Sequence, residues 1–239
     1  VKITNRFGLP AAIVQAVQND PYSKGSADFS VTELLKPPQL GHLYRKHEND
    51  LSVDVSDEVW RLFGQGVHAV LEKAGEGVKE ERLFTQVQAQ MKLAEDPFAH
   101  TLSGAIDLRS NGDISDYKIT AVFTYQRGEF ADWIAQMNMY DWLLWKNDID
   151  IKSLKVVVIL RDWKKSQTWR KDYPNAPVKM IPVERWTHKY QEEFIRERLE
   201  LHTAEEPRPC TEEETWGGVR CKDWCPVADF CPQIGGARA

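Results

Sequence analysis

No cysteine occurs before position 210, no apolar run approaches the roughly 20 residues that cross a bilayer, and positive charge is not in excess. Each absence removes a class of protein. Without a long apolar run there is no candidate membrane-spanning helix. The first residues, Val1-Lys2-Ile3-Thr4-Asn5-Arg6, lack the continuous apolar segment of a signal peptide, so a soluble, cytoplasmic protein is the expectation. A formal charge of −5 argues against coating nucleic acid through bulk positive charge, while leaving room for a local basic track. What is present is a chain of 239 residues, 42% hydrophobic, enough for one globular core with a small appendage.

Residues 1–54 alternate short apolar patches with turn formers such as Asn19-Asp20-Pro21 and Pro37-Pro38, which predicts short helices and loops wrapped around something larger. From Asp57 to Lys73 the residues Val59, Trp60, Leu62, Phe63, Val67, Val70 and Leu71 recur at helical spacing, with Ser56 as the expected cap and Gly75 and Gly77 beyond the end. Three strands follow. Leu83–Leu93 alternates glutamines with Val87, Ala89 and Met91 until Glu95-Asp96-Pro97 breaks it. Leu102–Leu108 places Leu102, Gly104, Ile106 and Leu108 on one face and Asp107 on the other. Asn111-Gly112, a strong hairpin signal, leads into Ile114–Ile119. A helix is expected from Phe130 to about Lys146, with Trp133, Met137, Tyr140 and Leu144 as its buried stripe. Leu154–Leu160 is apolar on both faces and reads as a central strand; a last amphipathic helix is expected over Val183–Leu201. The order predicts an α/β fold with a mixed central sheet.

The chemistry comes from where the side chains of two adjacent strands point. At about 3.3 Å per residue, Asp116 and Lys118 project from one face roughly 7 Å apart, and the hairpin brings Asp107 alongside. Two converging carboxylates repel unless a cation sits between them, and Mg²⁺ or Mn²⁺ takes oxygen ligands of this kind. Lys118 can stabilise charge developing on a phosphate or orient an attacking water. The competing reading is a solvated strand face with cross-strand ion pairs.

Two other stretches carry information. Cys210, Cys221, Cys225 and Cys231 hold every thiol in the chain, with gaps of three and five residues at the end. Such a set fits a thiolate cage for zinc or an iron–sulfur cluster, with two disulfides or unliganded thiols as alternatives. Residues 161–173 interleave five cations, Arg161, Lys164, Lys165, Arg170 and Lys171, with Trp163, Trp169 and Tyr173. That is a combination used to hold single-stranded nucleic acid, or else an exposed loop whose tryptophans pack on the core.

With these residues in view, the chain resembles the PD-(D/E)xK nuclease superfamily, in particular its RecB-like branch, which includes the iron–sulfur exonucleases of CRISPR adaptation and related phage nucleases. Gly64-Gln65-Gly66-Val67-His68 is similar to the GxxxH helix, Gly104–Asp107 to the GxxD strand, Asp116-Tyr117-Lys118 to the (D/E)xK strand, and Gln136–Tyr140 to the QxxxY helix, in the family's order. The resemblance implies a restriction-endonuclease-like αβββαβ core over residues 55–205, wrapped by 1–54 and followed by a cysteine-ligated tail over 206–239. It implies a metal held by His68, Asp107, Asp116 and the carbonyl of Tyr117, with Lys118 catalytic and Gln136 and Tyr140 bracing the site or touching DNA.

The third-strand acid is aspartate where many relatives have glutamate. Relatives with a cluster place one cysteine well before the core. This chain has none there, so Cys210 has to supply the fourth ligand if a 4Fe-4S cluster, rather than Zn²⁺, is present. The implied activity is Mg²⁺- or Mn²⁺-dependent hydrolysis of DNA, more an exonuclease on single strands or ends than an endonuclease, in recombination, repair or phage DNA processing. Recombination or replication proteins are the implied partners, in a bacterial, archaeal or phage-infected cell. The alternative is a catalytically inactive nuclease-fold protein that binds DNA or serves assembly. Glycoside hydrolysis by the carboxylate pair is disfavoured by the adjacent lysine and the cysteines.

Overall fold

The structure is a computed structural model that describes residues 1–20, 22–74, 76–88 and 99–235. The amino-terminal part contributes β1 (Lys2–Thr4), α1 (Ala11–Gln18), β2 (Phe29–Ser30), α2 (Val31–Leu34), α3 (Pro38–Lys46) and β3 (Ser52–Asp54). Next come α4 (Val59–Lys73), β4 (Val78–Gln88), β5 (Ala99–Ser110), β6 (Asp113–Thr120), α5 (Val122–Arg127), α6 (Ala131–Lys146), β7 (Ser153–Leu160), β8 (Val178–Val183) and α7 (His188–Thr203). The short α8 (Glu212–Thr215) and α9 (Val219–Asp223) lie in the tail. Among the described residues no helix is long and apolar enough to cross a membrane.

The sheet is mixed and flanked by helices. Its order is β2-β5-β6-β7-β8, with β4 on β5; β6 and β7 are parallel, and β7 and β8 antiparallel. Leu154–Leu160 is therefore a central strand, as its two apolar faces require. Gly104 of β5 faces α6, where an added methyl would lie 2.7 Å from Leu143 Cδ1 and 2.9 Å from Tyr140 Cε1. Asp107, an odd number of positions on, turns to α4. Only glycine allows α6 to approach β5 this closely.

One edge of β5 is occupied by β4 along nearly its whole length, so β6 and β2 share the other edge. Strand β6 pairs with β5 only from Ser110↔Asp113 to Leu108↔Ser115, and β2 pairs at Leu102 and Ser103. The two strands thus part at the step that would bring Asp107 opposite Asp116. A fork in the sheet opens where the acids stand.

Helix α6 is buried on all sides from Ala135 to Leu144, including Asn138 and Asp141. Burying polar groups costs stability unless they are hydrogen-bonded. Asn138 Oδ1 accepts from Trp186 N at 2.7 Å, and Asp141 Oδ2 accepts from Arg185 Nε and Gln191 Nε2, each at 2.7 Å. With Trp142, Leu143 and Leu144 each contributing about 1.5–3 kcal/mol of burial, this network locks the helix in rotation and register.

Several expectations change. The helix expected over Val183–Leu201 starts at His188, because Val183 still pairs with Leu154 in β8, a strand whose alternating burial (Val178, Met180 and Pro182 exposed) hid it. Ser56 does not cap α4: a 3₁₀ turn over Val55–Glu58 precedes it, capped by Asp54, which accepts from Ser56 N at 3.1 Å. Strand β4 begins at Val78, five residues before the expected Leu83; its expected end over 89–93, the break at 95–97 and Gly75 lie outside the described residues. The extra helix α5 follows β6 at once, with Val122 N donating to Asp162 Oδ1 at 2.7 Å. Helix α6 starts at Ala131, and Met137, Tyr140 and Leu144 are buried as expected.

Candidate functional site

A cleft of about 1000 Å³ lies at the fork, with His68, Glu80, Asp107, Asp116, Tyr117, Lys118, Gln136 and Tyr140 among its lining. Two groups of side chains share it. On the β6 and α6 side, Lys118 Nζ donates to Gln136 Oε1 at 2.8 Å and lies 2.8 Å from Asp116 Oδ2. Gln136 Nε2 donates to Asp116 Oδ1 at 3.2 Å and to the Tyr140 hydroxyl oxygen at 2.7 Å. One turn of helix separates Gln136 from Tyr140, so the amide of one reaches the hydroxyl of the other. Burial, then the Asp116 charge, holds the Tyr140 hydroxyl well above its ordinary pKa. It stays neutral, and its oxygen accepts the Gln136 bond. Tyr140 is therefore both a core residue and a brace.

Asp116 is only 3% exposed, and its Oδ2 has no aligned hydrogen bond, the lysine contact being an ion pair in distance alone. A buried carboxylate oxygen left this way has acceptor capacity to spare.

On the α4 and β4 side, His68, Glu80 and Asp107 place one donor atom each within 4.8 Å of one another. His68 Nδ1 is 3.5 Å from Asp107 Oδ2 and 3.9 Å from Glu80 Oε1. His68 Nε2 lies 3.1 Å from the Tyr117 carbonyl, which can only accept, so this contact assigns the ring proton to Nε2 and leaves the Nδ1 lone pair facing the carboxylates. Among the described residues this is the group of three whose atoms gather as metal donors do. His68 is thus a cleft residue rather than a core histidine.

Asp107 accepts from Tyr117 N at 2.7 Å. Its pKa is raised, first by burial and then by the neighbouring Asp116 charge, with the Tyr117 bond and Lys118 opposing. Burial likewise raises Glu80, with His68 opposing. Mutual repulsion of this kind is what a divalent cation relieves.

The catalytic and metal-binding residues expected from the sequence, His68, Asp107, Asp116, Tyr117, Lys118, Gln136 and Tyr140, line this one cleft, but in a different grouping. Asp116 is engaged by Lys118 and Gln136 and is not among the three gathered donors; the Tyr117 carbonyl is a partner of His68. Glu80 was missed. It falls in Val78-Lys79-Glu80-Glu81-Arg82, which has no apolar alternation, so nothing local marks it as strand. The only signal was register: extending β4 backwards along β5 brings Glu80 opposite Asp107. The ladder runs Lys79↔Leu108 and Glu81↔Ile106 and skips this pair, and Glu80 has φ +50°. A non-glycine residue in the left-handed region is strained, and here the departure turns its carboxylate towards His68.

Of the basic and aromatic stretch 161–173, Arg161 alone lines the cleft. Trp163 Nε1 donates to Pro174 O at 2.7 Å and Tyr173 OH accepts from Lys164 N at 2.8 Å, and both rings pack on the core. Trp169 projects outward. The segment is not a continuous stacking track.

The four cysteines form no disulfide. All four line one small pocket with Leu40, Leu43, Val227 and Ile234, against α3. Cys210 is brought there by its backbone: its N–H donates to Gln39 Oε1 at 3.0 Å and to Gln233 Oε1 at 2.9 Å. Burial first, then Glu214 and the other three thiols, pushes the Cys210 thiol up to about 11. Stacking of Phe230 on His47, 4.2 Å between centroids, fixes the tail to the end of α3.

A pH effect follows from Asp107. A carboxyl whose folded pKa is raised stabilises the fold below its unfolded pKa, and that stability is lost as pH rises through the folded value. In the presence of chelator, urea midpoints are expected to fall from pH 4 towards about 8. Asp107→Asn should flatten this decline; an unchanged slope in the variant would rule out Asp107 as its source.

No family model matches the chain, and no curated protein matches it. A solved structure described as "Crystal structure of SSO0001" is similar in fold, with a TM-score of 0.59 and 14% identity over 93% of this chain and 92% of that one. The likeness bears on the fold.

Proposed function

We propose that this chain is a Mg²⁺- or Mn²⁺-dependent deoxyribonuclease of the PD-(D/E)xK superfamily, RecB-like branch, that hydrolyses phosphodiester bonds as an exonuclease on single strands or DNA ends. The observation that carries the reading is the placement of a lysine, braced by Gln136 and Asp116, in the same cleft as the His68, Glu80 and Asp107 donors. The order α4, β4, β5, β6, α6, β7 supports the restriction-endonuclease-like core.

The donor set fits a divalent cation: one imidazole, two carboxylates and, nearby, the Asp116 oxygen without an aligned hydrogen bond. When bound, such an ion polarises the phosphoryl oxygen and lowers the pKa of a coordinated water. The remaining work falls to the chain. Asp107 and Asp116 offer carboxylate oxygens to the cation, whose charge would favour the ionised form of Asp107 that burial disfavours. Lys118 presents its ammonium to the charge that develops on the phosphate. Gln136 keeps that ammonium aimed, and Tyr140 holds the Gln136 amide in the orientation that leaves its oxygen to Lys118.

In the tail we propose a 4Fe-4S cluster held by Cys210, Cys221, Cys225 and Cys231. A single zinc with Zn–S bonds of about 2.3 Å needs thiolates about 3.8 Å apart. All four thiols line one small pocket, and a tetrathiolate set of this kind is the donor set of a cubane cluster as well as of zinc.

Digestion of end-labelled single- and double-stranded DNA tests the activity. Cleavage is expected with Mg²⁺ or Mn²⁺ and none with chelator. DNA binding without cleavage under every metal condition would instead support a nuclease-fold protein that binds DNA without cutting it.

A further inference from the structure

Two aromatic rings in the cleft remain without a role. Trp60, in the first turn of α4, is 58% exposed, and the Arg161 guanidinium sits 4.4 Å from its ring centroid. Tyr22, in the segment between α1 and β2, is 55% exposed, with the Arg82 guanidinium 5.6 Å from its centroid. All four residues line the same cleft as Asp107, Asp116 and Lys118.

Their placement follows the sheet. Arg82 is on β4 and Arg161 directly follows β7, while Asp107 and Asp116 stand on β5 and β6 in between. The acids are therefore bracketed by two arginine–aromatic pairs. Arg82 donates to Ser103 Oγ at 3.2 Å and interacts electrostatically with Glu80, and Arg161 sits over the Trp60 ring, so both guanidinium groups border the cleft.

Single exposed aromatic residues need no explanation. Two of them, each beside an arginine and both opening on one polar cleft, are a different matter. An aromatic face accepts an unpaired base and the adjoining guanidinium accepts the phosphate next to it. Away from its ends a duplex offers neither ring a free base face, because its bases stack on one another. The chain's net charge of −5 also means that any attraction for a polyanion has to be local.

We infer that Trp60 and Tyr22 are base-stacking positions on either side of the acids, and that the strand occupying the cleft is unpaired. This rests on the nuclease reading and adds to it the residues that select the substrate. Arg161 and Arg82 hold the flanking phosphates, so the strand spans the fork from the β4 side to the β7 side.

The test is binding of labelled oligothymidylate, and of a duplex of equal length, by fluorescence anisotropy with chelator present so that nothing is cut. Trp60→Ala and Tyr22→Ala are each expected to weaken oligothymidylate binding by about 5- to 100-fold and to change duplex binding by less than about twofold. Trp60→Phe and Tyr22→Phe, which keep a ring, should retain most of the affinity and guard against a folding defect. Equal losses on both ligands, no loss on the single strand, or no binding of oligothymidylate by the wild type would each overturn the inference; a protein-docking role for Trp60 would then take its place. Failure of the nuclease reading is seen separately: it is read from metal-dependent cleavage, which this measurement does not involve.

Discussion

Lys118→Ala is expected to lower single-turnover cleavage of DNA in Mg²⁺ by about 10²–10³-fold, the scale seen when one preorganised electrostatic group is removed from an active site. The basis is its position. Lys118 lies in the cleft with its ammonium fixed from two sides, by Gln136 Oε1 and by Asp116, each at 2.8 Å. A lysine that only balanced a strand face would have no need of a buried glutamine held in turn by a buried tyrosine. Removing it leaves both a void and Asp116 without its cation, so Lys118→Met, which restores the aliphatic stem, and Lys118→Arg, which restores the charge, separate the two effects. DNA binding in chelator should change little for either. Should Lys118→Ala cut as fast as the wild type, the catalytic assignment is wrong even if cleavage itself is observed. Gln136→Ala should give a smaller loss, because it frees the ammonium without removing it.

The second large effect concerns the tail. A structural zinc site contributes about 10–16 kcal/mol to folding when its metal is bound, so on that scale losing one of four thiolate ligands removes about 2.5–4 kcal/mol. For a chain of this size that is a fall in Tm of roughly 5–16 °C. Cys231→Ser is the informative variant, since Cys231 is buried with Leu43, Leu51 and Val227 in a small core separate from the main one. Its expected signature is loss of a broad visible absorption band from anaerobically prepared protein, together with faster proteolysis between α7 and the carboxyl terminus. The cysteine pocket and the cleft share no lining residue, so residual DNA cleavage should survive at temperatures where the variant is folded. A colourless wild type with stoichiometric zinc would replace the cluster by zinc, and a metal-free wild type with the same Tm as Cys231→Ser would remove the cofactor altogether.

Much of the framework is legible in the chain itself. The periodicities of α4, β5, β6, α6 and β7 place these elements within a few residues of their positions, because each carries its own signal: an apolar stripe, a period of two, or Asn111-Gly112 at a turn. Asp107, Asp116 and Lys118 were visible for the same reason. Asp116 and Lys118 share a strand face with Ile114, and Asp107 stands on the face of β5 opposite Leu102, Ile106 and Leu108. Elements with weak local signals were lost. Strand β8 contains Pro182 and alternates exposed with half-buried residues, and the 78–82 end of β4 is a charged run.

The amino-acid sequence alone determined which residues were chemically suited to a metal and a phosphate, and that thiol chemistry was confined to the tail. Only the tertiary structure decided how they are grouped. Glu80 joins His68 and Asp107 because the register of β4 on β5 carries it there. Asp116 goes to Lys118 because α6, drawn in over Gly104 and locked by Asn138 and Asp141, delivers Gln136 to that point. Cys210 meets the other thiols because Gln39 of α3, distant in sequence, holds its backbone. Local patterns follow from neighbouring residues and are written in the chain. Which distant side chains meet is set by strand register and by how closely helices pack, and a shift of one residue or a single methyl group would change the answer.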